Sequence, residues 1–112
     1  MKISFDYWGT ISTPRFQKEA KALLAVHDVY LITRGKYLED AKVVASRVGI
    51  KPENVYSTNG EDKGPLMNEL GIDVHYDDDQ NQIDAIRAVS KTNCVKVNHK
   101  ANRKLDYWNE QI

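Results

Sequence analysis

Asp6 closes the short strand-like run Lys2-Ile3-Ser4-Phe5 and is followed by Tyr7-Trp8-Gly9-Thr10. A second acidic group, Asp77-Asp78-Asp79, closes another strand-like run, Ile72 to Tyr76. Open α/β sheets bind their ligands at the carboxyl ends of the strands. A carboxylate placed there can attack a phosphoryl group or ligate a hard cation. Three adjacent carboxylates repel one another, and a bound cation relieves that cost. Oxygen donors alone point to Mg²⁺ rather than zinc. Two acidic strand ends in one small chain therefore suggest a Mg²⁺ site for phosphoryl transfer. Asp79 also reads as the N-cap of the helix that follows.

Other polar residues stand near turns. Thr33 ends the run Asp28 to Thr33 and is followed by Arg34-Gly35. Its hydroxyl suits either a phosphoryl group or the cap of the next helix. Arg34, in the same turn, suits an anionic substrate or plain solvent. His27, His75 and His99 match no zinc spacing. His75 flanks the acidic cluster, yet a histidine packed inside a strand is the simpler reading. Cys94 is the sole cysteine, so no intrachain disulfide can form. Its expected place is the core, and a reducing cytoplasm is the default compartment.

The segments that must position these residues alternate between strand and helix. Ile3 to Asp6, Asp28 to Thr33, Val55 to Thr58, Ile72 to Tyr76 and Asn93 to Val97 read as strands. Pro14 suits a first helical turn, with Thr13 as its cap. Phe16, Ala20, Leu23 and Leu24 follow at helical spacing. Tyr37, Ala41, Val44, Ala45 and Val48 form the next apolar stripe, which Gly49 stops. Pro65 to Leu70 and Gln80 to Ser90 read as two more helices. Ala101, Leu105, Trp108 and Ile112 share a face on a last one. Such alternation implies right-handed crossovers and a parallel sheet with helices on both faces.

At 112 residues, a single domain spanning 1–112 is expected. Sixteen basic and sixteen acidic residues cancel. Net charge thus gives no argument for a nucleic-acid partner or a membrane surface. No apolar run approaches the length of a membrane span, and neither a signal peptide nor a transmembrane helix is expected. Oligomeric state is not readable from the sequence.

Asp6, Thr33, Lys63 and Asp77-Asp78 occur in an order and strand context that resembles the haloacid dehalogenase superfamily, whose members are mostly phosphatases. The resemblance runs from Lys2 to about Ala85. It implies a Rossmann-like fold with five parallel strands in order 3-2-1-4-5. It implies that Asp6 is a nucleophile forming an aspartyl-phosphate. The family's second aspartate, its general acid–base, corresponds to Trp8. Indole cannot shuttle a proton at neutral pH, and such help is typically worth about two to four decades in rate. The family also ligates its metal through the backbone carbonyl of this position, which Trp8 retains. Thr33 would bond the transferring phosphoryl group, with Arg34 beside it. Lys63 would offset the charge of nucleophile and phosphate, with Lys51 as the competing candidate. Asp78 would bind Mg²⁺ directly and Asp77 would hold a metal-bound water, although a shift of one residue promotes Asp77 or Asp79.

No cap domain is expected. The first gap has room for about one helix, and the second for a helix, a short strand and a turn. Resemblance to capless members favours a bulky phosphorylated substrate, such as a macromolecule, without excluding a small phosphate ester. Two functions follow as expectations. One is a Mg²⁺-dependent phosphohydrolase of low activity. The other is a catalytically impaired module that holds a phosphorylated ligand or partner.

Overall fold

The computed structural model describes residues 1–35 and 38–97. Five strands and four helices lie within them: β1 (Lys2–Phe5), α1 (Pro14–Leu23), β2 (Asp28–Thr33), α2 (Leu38–Val48), β3 (Val55–Ser57), α3 (Gly64–Leu70), β4 (Val74–Asp77), α4 (Gln80–Val89) and β5 (Asn93–Lys96). The expected last helix, Tyr37 and His99 lie outside the described residues.

All strand pairs are parallel, in the order β3-β2-β1-β4-β5. This is the expected doubly wound arrangement. The sheet order reverses between β1 and β4, so their carboxyl ends flank the switch point where such folds bind ligands. The two strands are in register at Ser4 with His75 and Phe5 with Tyr76. The Phe5 and Tyr76 rings stack at 4.6 Å across that pair, a contact that helps hold the register.

Strand side chains alternate between faces, and the two faces have separate cores. Ile3, Phe5, Val29 and Leu31 pack against Ala20 of α1 and Ala41, Val44, Ala45 and Val48 of α2. Tyr30 and Ile32 pack on the other face with Met67 of α3 and Ile86 of α4. The result is three layers, with α1 and α2 on one side and α3 and α4 on the other. Half-buried Cys94 packs against the second core, close to its expected place.

Several boundaries shift by a residue or two. Asp6 falls just past β1, although its N–H still donates to the Tyr76 carbonyl at 2.9 Å. Conversely, Asp77 is the last residue of β4, opposite Lys96. Thr13 occupies the N-cap position of α1, but its hydroxyl donates back to the Thr10 carbonyl at 2.7 Å and caps nothing. Asp79 caps α4 as expected, accepting the Asn81 N–H at 2.9 Å. The β1–β2 connection holds only a turn and α1. The β2–β3 connection holds α2 and a short turn at Pro52–Asn54. Neither contains a cap. Among the described residues, no helix is long and apolar enough to cross a membrane.

Candidate functional site

Asp6 is delivered by β1 into a wide turn at Tyr7–Ile11. Trp8 (φ −68°, ψ 123°) and Gly9 (φ 78°, ψ −1°) have the dihedrals of the two central residues of a type II turn. That turn requires positive φ at its third position, which explains glycine there. Ile11 N–H closes the loop onto the Asp6 carbonyl at 3.0 Å, and Gly9 N–H donates to Ser12 Oγ at 3.0 Å.

Lys63 stands immediately before α3 and is 1% exposed. Its ammonium donates to Asp6 Oδ1 at 2.7 Å and to Asp77 Oδ2 at 2.8 Å. The lysine thus joins the ends of the two central strands. Lys51 is exposed and precedes β3, so it lies toward the amino ends of the strands, away from this cluster.

Asp77 is saturated with donors. Oδ2 accepts from both Lys63 and His75 Nε2, each at 2.8 Å, and Oδ1 accepts the Asp79 N–H at 3.0 Å. His75 Nδ1 lies 2.6 Å from Ser4 Oγ. His75 is indeed packed within its strand, but it also touches the acidic cluster.

Burial dominates the electrostatics. It pushes the Asp6 carboxyl up to about 7, against the opposing pull of Lys63. Burial also disfavours ionised Asp77, but the His75 hydrogen bond and the Lys63 charge outweigh it and hold this carboxyl below its usual range. Desolvation opposes the charge on Lys63, yet Asp6 and Asp77 together raise its pKa. Burial pushes His75 down to about 4.

Asp6, Asp77 and Asp78 each offer a carboxylate oxygen within 4.8 Å of the others. With all three carboxylates ionised, the one ammonium would leave two negative charges in a place where Asp6 and Asp77 are buried. That surplus and the all-oxygen donor set fit one divalent hard cation.

The cluster forms the floor of an open cleft of about 800 Å³. Asp6, Thr33, Arg34, Lys63, Asp77 and Asp78 all line it, so the expected residues from three strand ends and from the start of α3 come together. Buried Thr33 accepts the Gly35 N–H at 3.3 Å, and α2 begins only at Leu38. Arg34 Nε donates to the Gly60 carbonyl at 2.9 Å and Gly60 N–H to the Arg34 carbonyl at 2.7 Å. This reciprocal pair ties the turn after β2 to the loop after β3. Trp8, 42% exposed, forms part of the wall.

Sequence reasoning missed Ser4 and Gln82. Ser4 sits two residues before Asp6, on the same strand face. Gln82 lines the cleft from α4, and its buried Oε1 has no hydrogen-bond partner among the described residues. A polar residue in a strand of apolar neighbours was the available signal for Ser4. Gln82 offered none beyond its place in the first turn of α4. No protein-family model matches the chain, and no curated protein sequence does either.

Proposed function

We propose that this chain is a Mg²⁺-dependent phosphohydrolase of the haloacid dehalogenase type, working through an aspartyl-phosphate on Asp6. One observation carries the reading: Lys63 bridges Asp6 and Asp77 at the ends of adjacent central strands, with Asp78 beside them. Asp77 has committed both oxygens to protein donors. Asp78, in the same carboxylate cluster, is the proposed direct ligand of Mg²⁺, together with Asp6 and the Trp8 carbonyl, as the family resemblance implies. When bound, Mg²⁺ would offset charge on the phosphoryl oxygens and favour the ionised carboxylate of Asp6.

In this reaction an Asp6 carboxylate oxygen attacks phosphorus. The bond from phosphorus to the ester oxygen breaks, and the leaving group departs with the electron pair. Lys63 offsets the charge that accumulates, and the Thr33 hydroxyl donates to a phosphoryl oxygen. Water then attacks phosphorus, releases inorganic phosphate and returns Asp6 as a carboxylate. Trp8 supplies no proton to the leaving group, so esters with leaving groups of low pKa react best.

The open cleft admits a bulky phosphorylated substrate or a small ester. The proposed setting is the cytoplasm, in keeping with a lone thiol at Cys94. A second reading, a module that binds a phosphorylated ligand without turnover, is favoured by Trp8 standing in the cleft wall two residues from Asp6. Release of p-nitrophenol from p-nitrophenyl phosphate decides between them. The enzyme reading expects release that needs Mg²⁺ and vanishes in Asp6→Asn. Wild-type protein that binds phosphate esters but never cleaves them leaves the binding module.

A further inference from the structure

Ser4, His75 and Asp77 form a hydrogen-bonded chain that takes no direct part in the proposed reaction. All three side chains are fully buried, at 0% exposure. Their placement follows from the sheet. Ser4 and His75 are register partners on β1 and β4, and His75 and Asp77 are two residues apart on β4. All three therefore project from one face, the face that α3 covers. The order serine–histidine–aspartate is that of a hydrolase triad, but no substrate can reach a serine without exposed surface.

Burying three polar side chains is costly unless each is paired. The pairing has a direction. Asp77 Oδ2 is an acceptor, so His75 Nε2 must carry a proton to sit 2.8 Å from it. In the neutral ring Nδ1 is then an acceptor, and the Ser4 hydroxyl donates to it across 2.6 Å. The other neighbour of Ser4 Oγ is Met67 Sδ at 3.9 Å, a weak acceptor. Asp77 thus receives His75, Lys63 and the Asp79 N–H, three donors from three directions. Lys63 in turn needs Asp77 held still, because the same ammonium must reach Asp6.

We propose that His75, braced by Ser4, is a positioning residue that locks the Asp77 carboxylate in the orientation anchoring Lys63 beside Asp6. It touches neither the substrate nor the proposed cation. The hydrogen-bond chain stands on geometry alone, whereas its effect on turnover rests on the phosphohydrolase reading.

Nitrogen-15 NMR of the metal-free full chain tests it. His75 should show a protonated, pyrrole-type Nε2 and a pyridine-type Nδ1. In Ser4→Ala the Nδ1 resonance should move to the position of an unbonded nitrogen. His75→Gln can place its amide N–H₂ near the position of Nε2, so the Lys63 ammonium resonance should stay close to wild type. His75→Leu removes the donor and should shift that resonance or lose it to solvent exchange. In turnover, His75→Leu should lower kcat by about 10- to 100-fold with KM little changed, and His75→Gln should recover most of the loss. An unprotonated Nε2, or an Nδ1 resonance unmoved in Ser4→Ala, overturns the proposal. So do folded leucine and glutamine variants with the same Lys63 signal. If His75→Leu does not fold, the Ser4→Ala shift decides. If the wild type has no phosphatase activity, the NMR results decide alone, so failure of the enzyme reading and failure of this one remain distinct.

Discussion

The charge balance of the site turns on single residues. Asp6 and His75 are both buried and both resist ionisation, but they pull stability in opposite directions with pH. His75 has an ordinary value of 6.5, lowered to about 4 by burial. As pH falls from 6.5 toward 4, the unfolded chain takes up this proton and the folded one does not, so stability falls. Asp6 is raised from 3.8 to about 7. Over the same range the folded chain holds its proton and the unfolded chain does not, so stability rises as pH falls. The two nearly cancel in the metal-free protein, which should show little change in urea stability between pH 4.5 and 6.5. Asp6→Asn removes one of the two. In chelator, that variant should lose on the order of 2 kcal/mol as pH falls through this window. Urea curves as flat as those of the wild type would contradict the burial argument for His75.

Trp8 sets the other residue-scale expectation. Under the proposed mechanism it stands where an acid would serve the leaving group. Trp8→Asp should raise turnover of alkyl phosphates, whose leaving groups need a proton, by up to about two decades. Turnover of p-nitrophenyl phosphate should rise less. Circular dichroism checks that the turn still folds. Equal gains for both esters would argue against a missing acid as the source of low activity.

At the scale of elements, the site depends on where α3 begins. Gly64 follows Lys63 and packs closely on α4. A Cβ there would overlap Val89 Cγ2 and press on the Ala85 carbonyl oxygen at 3.3 Å. Gly64→Ala should therefore cost about 1–3 kcal/mol through overpacking and move Lys63 away from Asp6. Adding Val89→Ala should recover much of that loss, because Val89 is 53% exposed and contributes little itself. Thermal or urea denaturation of the single and double variants measures this. No recovery in the double variant would place the strain at the Ala85 carbonyl instead.

These elements were legible to different degrees. The β-branched run at Asp28 to Thr33 and the glycine stop after Val48 could be read directly. Both reflect local chemistry. Asp6 and Asp77 could be nominated because strand ends carry visible signals, and Lys63 because the family resemblance asks for a lysine and this one opens a helix. Ser4 and His75 could not be joined in advance. Their contact depends on the β1–β4 register, which residues 71 apart in the chain do not reveal. The same limit left the preference for Asp78 over Asp77 as direct ligand open to a shift of one residue. The packing of Lys63 and His75 against Asp77 is visible only in the folded chain.

For the whole molecule, the topology explains why so small a chain can assemble such a cluster. The sheet order reverses between β1 and β4, which opens a cleft without a second domain. Both central strands end there, and α3 returns a lysine to the same point. Within the described residues nothing closes over the cleft as a cap would. Water reaches the site unless the substrate itself excludes it. On the proposed mechanism, Trp8 in place of an acid–base group would slow breakdown of the phosphorylated enzyme. The most direct test of the central claim is therefore to look for that species. The protein is incubated with Mg²⁺ and an activated phosphate ester, quenched in acid and weighed intact by mass spectrometry. The proposed mechanism predicts a mass gain of one phosphoryl group, mapped to Asp6, removed by hydroxylamine and absent from Asp6→Asn. Ester cleavage with no phosphoryl group on Asp6, or equal labelling of Asp6→Asn, would contradict it.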